Sequence, residues 1–358
     1  MKIAIVNISK PAFGTGDKIT EYTYQLYKNI RNYKDVKIDL VYAIEETKRN
    51  NVSGLIYTNT LFKRKISELA KKDYDIIHIT NQEIGFAAKL LKNSGCKAKI
   101  ITTIHDTMRL RNDLHRGLKQ KLYNTITAAS IRDAIEDSDF ILFDEPSTAE
   151  ELRHVYNLKN FAVTPLGVRD WLVSEPIKRT RNSKKFTVGY VGPLDPHKNL
   201  MLLLDAAKDL VKDKLFSFEI YGSGPEMDKL MGYKTANNLE NVDFKGLAVE
   251  EDIKDIYDNF DAFAFPALGE SYSLTVLEAM ARGLPIIISK NSALVNEIRK
   301  HCYEVKNSGD LKNLLIKLAK NGYDKNMKAA AMAYSRSLTW DKTAKETYGI
   351  YRKVVSMR

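Results

Sequence analysis

The sequence predicts an α/β chain built from two doubly wound domains. Three observations carry this. Short apolar runs recur between amphipathic stretches along all 358 residues. The pattern breaks once, at a polar stretch near residues 169–185, and then restarts. The length also suits two domains of roughly 150–200 residues each.

In the first half, KIAIVNI (2–8) reads as a buried strand. The loop SKPAFGTGDK follows, then a helical stretch from about Ile19 to Asn32. VKIDLVYAI (36–44), GLIYT (54–58), YDIIHIT (74–80), AKIITTIH (98–105) and DFILFDE (139–145) supply further strands, and NFAVTPLGV (160–168) closes the half. Apolar runs this short, set between helical stretches, imply βαβ units and a mostly parallel sheet. Residues 169–185 hold Pro176 and the polar run Lys178–Lys185, and read as a linker.

The second half repeats the scheme. FTVGYVG (186–192), FSFEIYG (216–222), NVDFKG (241–246), DAFAFPA (261–267) and LPIIIS (284–289) are strands, with helices near 198–213, 225–237, 250–259 and 274–282 between them. The expected domains are therefore 1–168 and 186–341, joined by 169–185. No short fixed repeat is present. Ligands of open parallel sheets bind beyond the carboxyl ends of the strands, so two such domains are expected to face a central cleft.

Composition narrows the function classes. At 44% hydrophobic and 28% charged residues, the chain can bury an ordinary core. No run reaches the ~18 consecutive apolar residues of a spanning helix. MKIAIVNIS is quickly interrupted for a secretory segment, so a cytoplasmic protein is expected. Cys96 and Cys302 lack paired spacing, which argues against a disulfide framework or a thiolate metal site. The net charge of +11 is spread evenly, with 26 basic and 20 acidic residues in 1–167 and 30 and 25 in 168–358. That excess can steer anionic ligands or simply solvate the surface. Aromatics do not interleave with a basic stripe, so no nucleic-acid partner is expected.

FPALGESYSLTVLEAMARGLPIIIS is the most informative segment. Glu270 lies in a loop after a strand, and Glu278 follows eight residues later. A helix is expected from about Ser273 to Gly283, with glycine just past its end and Pro285 beyond. The loop amides of Ser271, Tyr272 and Ser273, with the helix N-terminus, suit a diphosphate. Glu278 can accept from vicinal ribose hydroxyls, and Glu270 can reach sugar hydroxyls. The plain alternative makes both glutamates dipole partners on a solvated helix face. YVGPLDPHKN brings Lys198 to the start of a helix after a strand ending at Gly192, where it can neutralise phosphate or stand as a surface lysine. In IYGSGPE, Gly222 allows close backbone approach by a base or ribose, or forms a tight turn.

In this order, the three pieces resemble the C-terminal domain of the family-4 retaining glycosyltransferases (glycosyltransferases group 1), which have the GT-B fold of two Rossmann-like domains. The resemblance is strongest over about 186–300, above all in the Glu270–Glu278 spacing followed by AMARGLPII. The first half is similar more loosely, at Gly14 and Gly16, at His105–Asp106, and at PLGV (165–168). The resemblance implies that Lys198 binds the donor diphosphate, Glu278 the ribose and Glu270 the transferred sugar. It further implies that His105 contacts the sugar near the reacting carbon and that Gly16 faces the phosphates. Gly222, the Ser271–Ser273 loop and Leu274 would complete the donor site. Where the family commonly has arginine, this chain has Pro193, so one phosphate partner is replaced. The loop reads Ser271-Tyr272-Ser273 where the family often has glycines.

The implied reaction is metal-independent hexosyl transfer with retention, from a UDP- or GDP-linked sugar to a glycan, lipid-linked or small-molecule acceptor. No separate cofactor is implied. A nucleotide-sugar epimerase and a catalytically silent scaffold subunit are the alternatives. Asp137-Ser138-Asp139 and the pair Asp73 and Asp75 have metal-binding spacing but read as punctuation between elements. His78 reads as a core histidine, and His115, His154 and His301 as surface residues. LFKRKISELAKK (61–72) and RLRNDLHRGLKQKL (109–122) are basic and amphipathic, suiting either water or anionic lipid at the inner membrane face. By the resemblance, the helix over 342–358 packs back on the first domain.

Overall fold

The computed structural model describes residues 1–10, 18–44, 62–105, 118–178 and 184–357. The expected strand GLIYT, together with Gly14, Gly16, Asp106, His115 and most of the basic stretch 109–122, lies outside them. The chain divides into two compact units, Met1–Gly167 with Trp340–Arg358, and Val168–Thr339.

The first unit contains β1 (Lys2–Ser9), α1 (Lys18–Ile30), β2 (Lys37–Ile44), α2 (62–70), β3 (Ile76–Ile79), α3 (Phe86–Asn93), β4 (Lys99–Ile104), α4 (Leu118–Asp137), β5 (Phe140–Phe143), α5 (Pro146–Val155) and β6 (Phe161–Val163). The strands pair in parallel in the order β2-β1-β3-β4-β5-β6. A parallel sheet covered on both faces needs continuous apolar strands. β1 meets that need, with Ile3, Ala4, Ile5 and Val6 fully buried. The helix α2 turns Phe62, Ile66 and Leu69 into the core and leaves Lys63, Arg64 and Lys65 exposed.

The second unit contains α6 (Asp170–Ser174), β7 (Phe186–Val191), α7 (Met201–Asp209), β8 (Phe216–Tyr221), α8 (Met227–Ala236), β9 (Val242–Gly246), α9 (Ile253–Asp258), β10 (Ala262–Phe265), α10 (Leu274–Ala281), β11 (Ile286–Ser289), α11 (Asn296–Arg299), β12 (Cys302–Val305), α12 (Ser308–Asn321) and α13 (Lys325–Arg336). Its parallel sheet runs β12-β11-β10-β7-β8-β9. Numbered within the unit, that is the Rossmann order 3-2-1-4-5-6, whose switch point lies between β7 and β10. Each unit is thus a doubly wound α/β sheet, as the periodicity predicts.

Residues 169–178 are more than a linker. They carry α6, and Arg282 grips the segment by donating to the carbonyls of Leu172, Glu175 and Pro176 at 2.8, 2.9 and 3.0 Å. The same guanidinium makes two 2.7 Å bonds to Asp258. Its five N–H donors therefore all find acceptors, and both charged side chains are fully buried. Polar composition suggests a linker, but a buried arginine 24 residues from its carboxylate is invisible to local periodicity.

The last helix, α14 (Trp340–Ser356), completes the first unit. Trp340 is buried beside Tyr22, with ring centroids 6.2 Å apart. Thr343 donates to the Pro165 carbonyl at 2.6 Å, and Tyr348 stacks on Tyr33 at 4.3 Å.

Candidate functional site

The chemistry of the second unit gathers at the carboxyl ends of β7 and β10. β7 runs into Gly192 and β8 into Gly222, at φ 155° and 147°. A Cβ on Gly222 would stand 1.9 Å from the Gly192 carbonyl oxygen. A close approach at Gly222 is thus made by the neighbouring turn of the protein itself, as the tight-turn alternative expects. Pro193 uses its carbonyl to accept from the Tyr190 hydroxyl at 2.7 Å.

After β7 the chain enters a 3-10 turn, Pro196–Lys198, closed by Asn199 in the left-handed region at φ 54°. Lys198 thus precedes the helix α7 rather than starting it. Two bonds tie this turn to the loop after β10: Leu268 N to the His197 carbonyl at 2.9 Å, and Asn199 Nδ2 to the Pro266 carbonyl at 3.3 Å. They bring Lys198 onto Glu270, and Lys198 Nζ donates to Glu270 Oε2. The side chains are 7% and 22% exposed. Lys198 is therefore no surface lysine, because the loop of the adjacent strand covers it.

The helix α10 begins after Ser273, whose backbone is extended, and stops before Gly283 at φ 72°. Both ends fall where Ser273 and the glycine predict them. Tyr272 is buried, so its ring packs in the interior, and the Ser271 carbonyl accepts from Val295 N at 2.9 Å. Leu274 is half-buried, whereas Val276 through Ala281 are buried on every face. Glu278 is among them, which removes the solvated-face reading. Its Oε1 accepts from Arg169, and its Oε2 accepts from the Tyr257 hydroxyl at 2.9 Å. Burial first, and the Glu278 charge second, hold the Tyr257 phenol well above its ordinary pKa, so it serves as a donor.

Arg169 and Tyr257 escape sequence reasoning. Arg169 lies 109 residues from Glu278, and Tyr257 looks like one more core aromatic. The available signal was a lone arginine directly after the apolar run PLGV.

In the first unit, His105 stands at the end of β4, fully buried. Its Nδ1 lies 2.8 Å from Asp144 Oδ2 at the end of β5, and its Nε2 lies 2.9 Å from the Thr80 carbonyl at the end of β3. Its backbone N donates to Gln82 Oε1 at 2.6 Å. A neutral ring donates to one of the two facing acceptors, and a doubly protonated ring donates to both. Tyr22 packs edge-on at 5.0 Å between centroids. His105 is thus embedded in a polar network, with no ring nitrogen left without a protein contact.

The remaining polar candidates are structural. His78 is a core histidine, bonded to Tyr351 Oη at 2.6 Å and Thr103 Oγ1 at 2.7 Å. Burial first, then His105, lower its pKa to about 3. Asp139 accepts from Ile100 N at 2.7 Å, and Asp75 from Lys2 N at 2.7 Å, so these aspartates bind strand ends. His154 is exposed beside Glu150. His301 is not a surface residue, because it stacks on Tyr334 at 5.2 Å and is 9% exposed. Among the described residues, no group of three or more His, Cys, Asp or Glu side chains gathers as metal ligands. No described helix is long and apolar enough to cross a membrane.

Comparison with known proteins places these features in a family. The sequence profile of "Glycosyl transferases group 1" matches residues 174–336, and that of "Glycosyltransferase Family 4" matches residues 22–170. The chain is 28% identical over 266 residues to the UDP-Gal:alpha-D-GlcNAc-diphosphoundecaprenol alpha-1,3-galactosyltransferase of Escherichia coli, covering 70% of this chain and 67% of that one. It is 24% identical to an O-antigen biosynthesis glycosyltransferase of Escherichia coli, with 99% of each chain covered. Sucrose-phosphate synthase from Thermosynechococcus elongatus superposes with a TM-score of 0.81 over 98% of both chains, at 18% identity. The HepE protein of Anabaena, crystallised with UDP and glucose, superposes with a TM-score of 0.74 over 99% of this chain and 100% of that one, at 15% identity. These likenesses extend to both units and show the two-domain GT-B fold. With that fold and two adjoining profile matches, the chain belongs to the family-4, group 1 glycosyltransferases.

Proposed function

We propose that this glycosyltransferase moves a hexose from a nucleoside diphosphate, UDP or GDP, to an acceptor hydroxyl with retention and without a metal. One observation carries the reading. Lys198 and Glu270 form a part-buried charge pair across the β7–β10 switch point, where doubly wound sheets take ligands. The names of the relatives add support, since one uses UDP-Gal and HepE was crystallised with UDP and glucose.

In this reading Lys198 neutralises the diphosphate, and the amides of Ser271–Ser273 add donors. Glu270 reaches the sugar hydroxyls, and Glu278 accepts from the ribose. The family resemblance assigns Gly16 to the phosphates and His105 to the sugar. The acceptor oxygen bonds to the anomeric carbon as the bond to the leaving phosphate oxygen breaks. Same-face attack passes the acceptor proton to the departing diphosphate, so no separate base is required. Donors preorganised toward the growing phosphate charge are worth about 3–4 kcal/mol each by analogy with an oxyanion hole.

The acceptor is a glycan, a lipid-linked sugar or a small molecule, used on the cytoplasmic side. The apolar face of α2 is spent on the core, so contact with anionic lipid would be electrostatic, through residues such as Lys63, Arg64 and Lys65. Flotation with anionic vesicles, abolished by salt, checks that point.

The test of function is a panel of UDP-, GDP-, ADP- and CMP-linked sugars with glycan and lipid-linked acceptors. Proton NMR of the product reports the anomeric configuration. A single accepted nucleotide class and an unchanged anomer are expected. Epimer formation without acceptor, or no turnover of any donor, contradicts the reading.

A further inference from the structure

Arg169 connects two parts of the second unit that sequence alone keeps apart. Its side chain is 11% exposed and Glu278 is 5% exposed, so the pair meets largely out of water. The Arg169 backbone is braced on both sides. Upstream, Val168 N donates to the Leu338 carbonyl at 2.7 Å. Downstream, Arg282 holds the carbonyls of Leu172, Glu175 and Pro176.

The other partners are tied by the same device. Arg282 caps the end of α10 one turn beyond Glu278, and the Asp258 that it grips directly follows Tyr257. Glu278 and the two side chains that meet it, Arg169 and Tyr257, thus ride on segments clamped together by a second, buried ion pair. Little rotamer freedom is left to the carboxylate. An ionised carboxylate has about four acceptor sites, so Arg169 and Tyr257 by themselves do not saturate Glu278. Arg169 on Oε1 and Tyr257 on Oε2 fix the carboxylate plane. The guanidinium charge favours the ionised form, which accepts and does not donate.

We infer that Arg169 is a positioning residue for nucleoside recognition, holding Glu278 oriented and ionised to accept from the 2′ and 3′ ribose hydroxyls. This rests on the ribose reading of Glu278 given above. A merely structural tether would affect folding and all ligands alike, whereas a positioning role is confined to the ribose hydroxyls.

The experiment is calorimetric titration of UDP, GDP and ADP, each beside its 2′-deoxy counterpart. It uses the full chain and the variants Arg169→Met, Arg169→Lys, Glu278→Gln and the Arg169→Met/Glu278→Gln pair. The ribo form is expected to bind the wild type at least about tenfold tighter than the deoxy form, the scale of one charge-assisted hydrogen bond. Arg169→Met should collapse that ratio toward one by weakening the ribo form, and Arg169→Lys should restore most of it. Glu278→Gln should weaken the ribo form in the wild-type background and add little in the Arg169→Met background. An unchanged ribo-to-deoxy ratio in Arg169→Met overturns the positioning role while leaving the ribose reading standing. A wild type that binds none of the three, or does not distinguish the two forms, overturns the ribose reading itself. If Arg169→Met fails to fold, the Arg169→Lys ratio and the double variant, which removes the uncompensated buried charge, decide the matter.

Discussion

Glu270 is held by a buried lysine yet keeps 22% of its side chain accessible, which suits a group that serves both a protein cation and a ligand. Glu270→Gln keeps the shape and removes the charge. It should lower kcat about 10- to 100-fold and, because Lys198 loses its counter-charge, lower the thermal midpoint as well, as steady-state kinetics beside a melting curve would show. His78 carries a different prediction. Its folded pKa of about 3 lies below the ordinary 6.5, so the unfolded chain binds its proton first as pH falls. The stability that neutral His78 contributes is full above about 6.5 and is lost as pH drops toward 3, at about 1.4 kcal/mol per pH unit. His78→Gln should flatten denaturant-derived stability across that window, and an unchanged slope would contradict the assignment. Lys198, Glu270 and Glu278 were legible because each sits at a fixed offset from a strand end or helix start. Arg169, Tyr257 and Asp144 were not, because their partners lie 109, 21 and 39 residues away and meet them only in the folded chain.

At the scale of elements, the turns after β7 and β8 touch backbone to backbone. Gly222→Ala would force a methyl to within 1.9 Å of the Gly192 carbonyl oxygen at a φ of 147°. A loss of 3 kcal/mol or more, about the cost of strain plus overpacking, is expected in urea titrations. Gly232, inside α8 with nothing within 4 Å of its added Cβ, gives the control. Gly232→Ala should stabilise by about 0.5–1 kcal/mol. The ends of α10 were readable from Ser273, Gly283 and Pro285. The role of residues 169–178 was not, since polar composition describes solvent exposure and says nothing of carbonyls captured by Arg282. The solvated-face alternative for Glu278 falls because residues 276–281 of that helix are buried all round.

At the scale of the molecule, α14 belongs to the first unit although it follows the second in sequence. Trp340→Ala removes a nearly fully buried side chain and should cost about 3–5 kcal/mol. Hydrogen exchange should then quicken in α1 and β3 while β7 and β10 hold their protection. The alternating strand and helix periodicity made both sheets readable apart from the edge strand β12, which the sequence reading misses, and the return of the last helix was expected only by resemblance. The central claim is that the β7–β10 switch point of the second unit binds a nucleoside diphosphate through Lys198. Calorimetric titration of UDP and GDP into the wild type and Lys198→Ala tests it most directly. One of the two nucleotides should bind the wild type, with affinity falling at least about tenfold in Lys198→Ala. Equal binding to both proteins, or no binding to either, would contradict it.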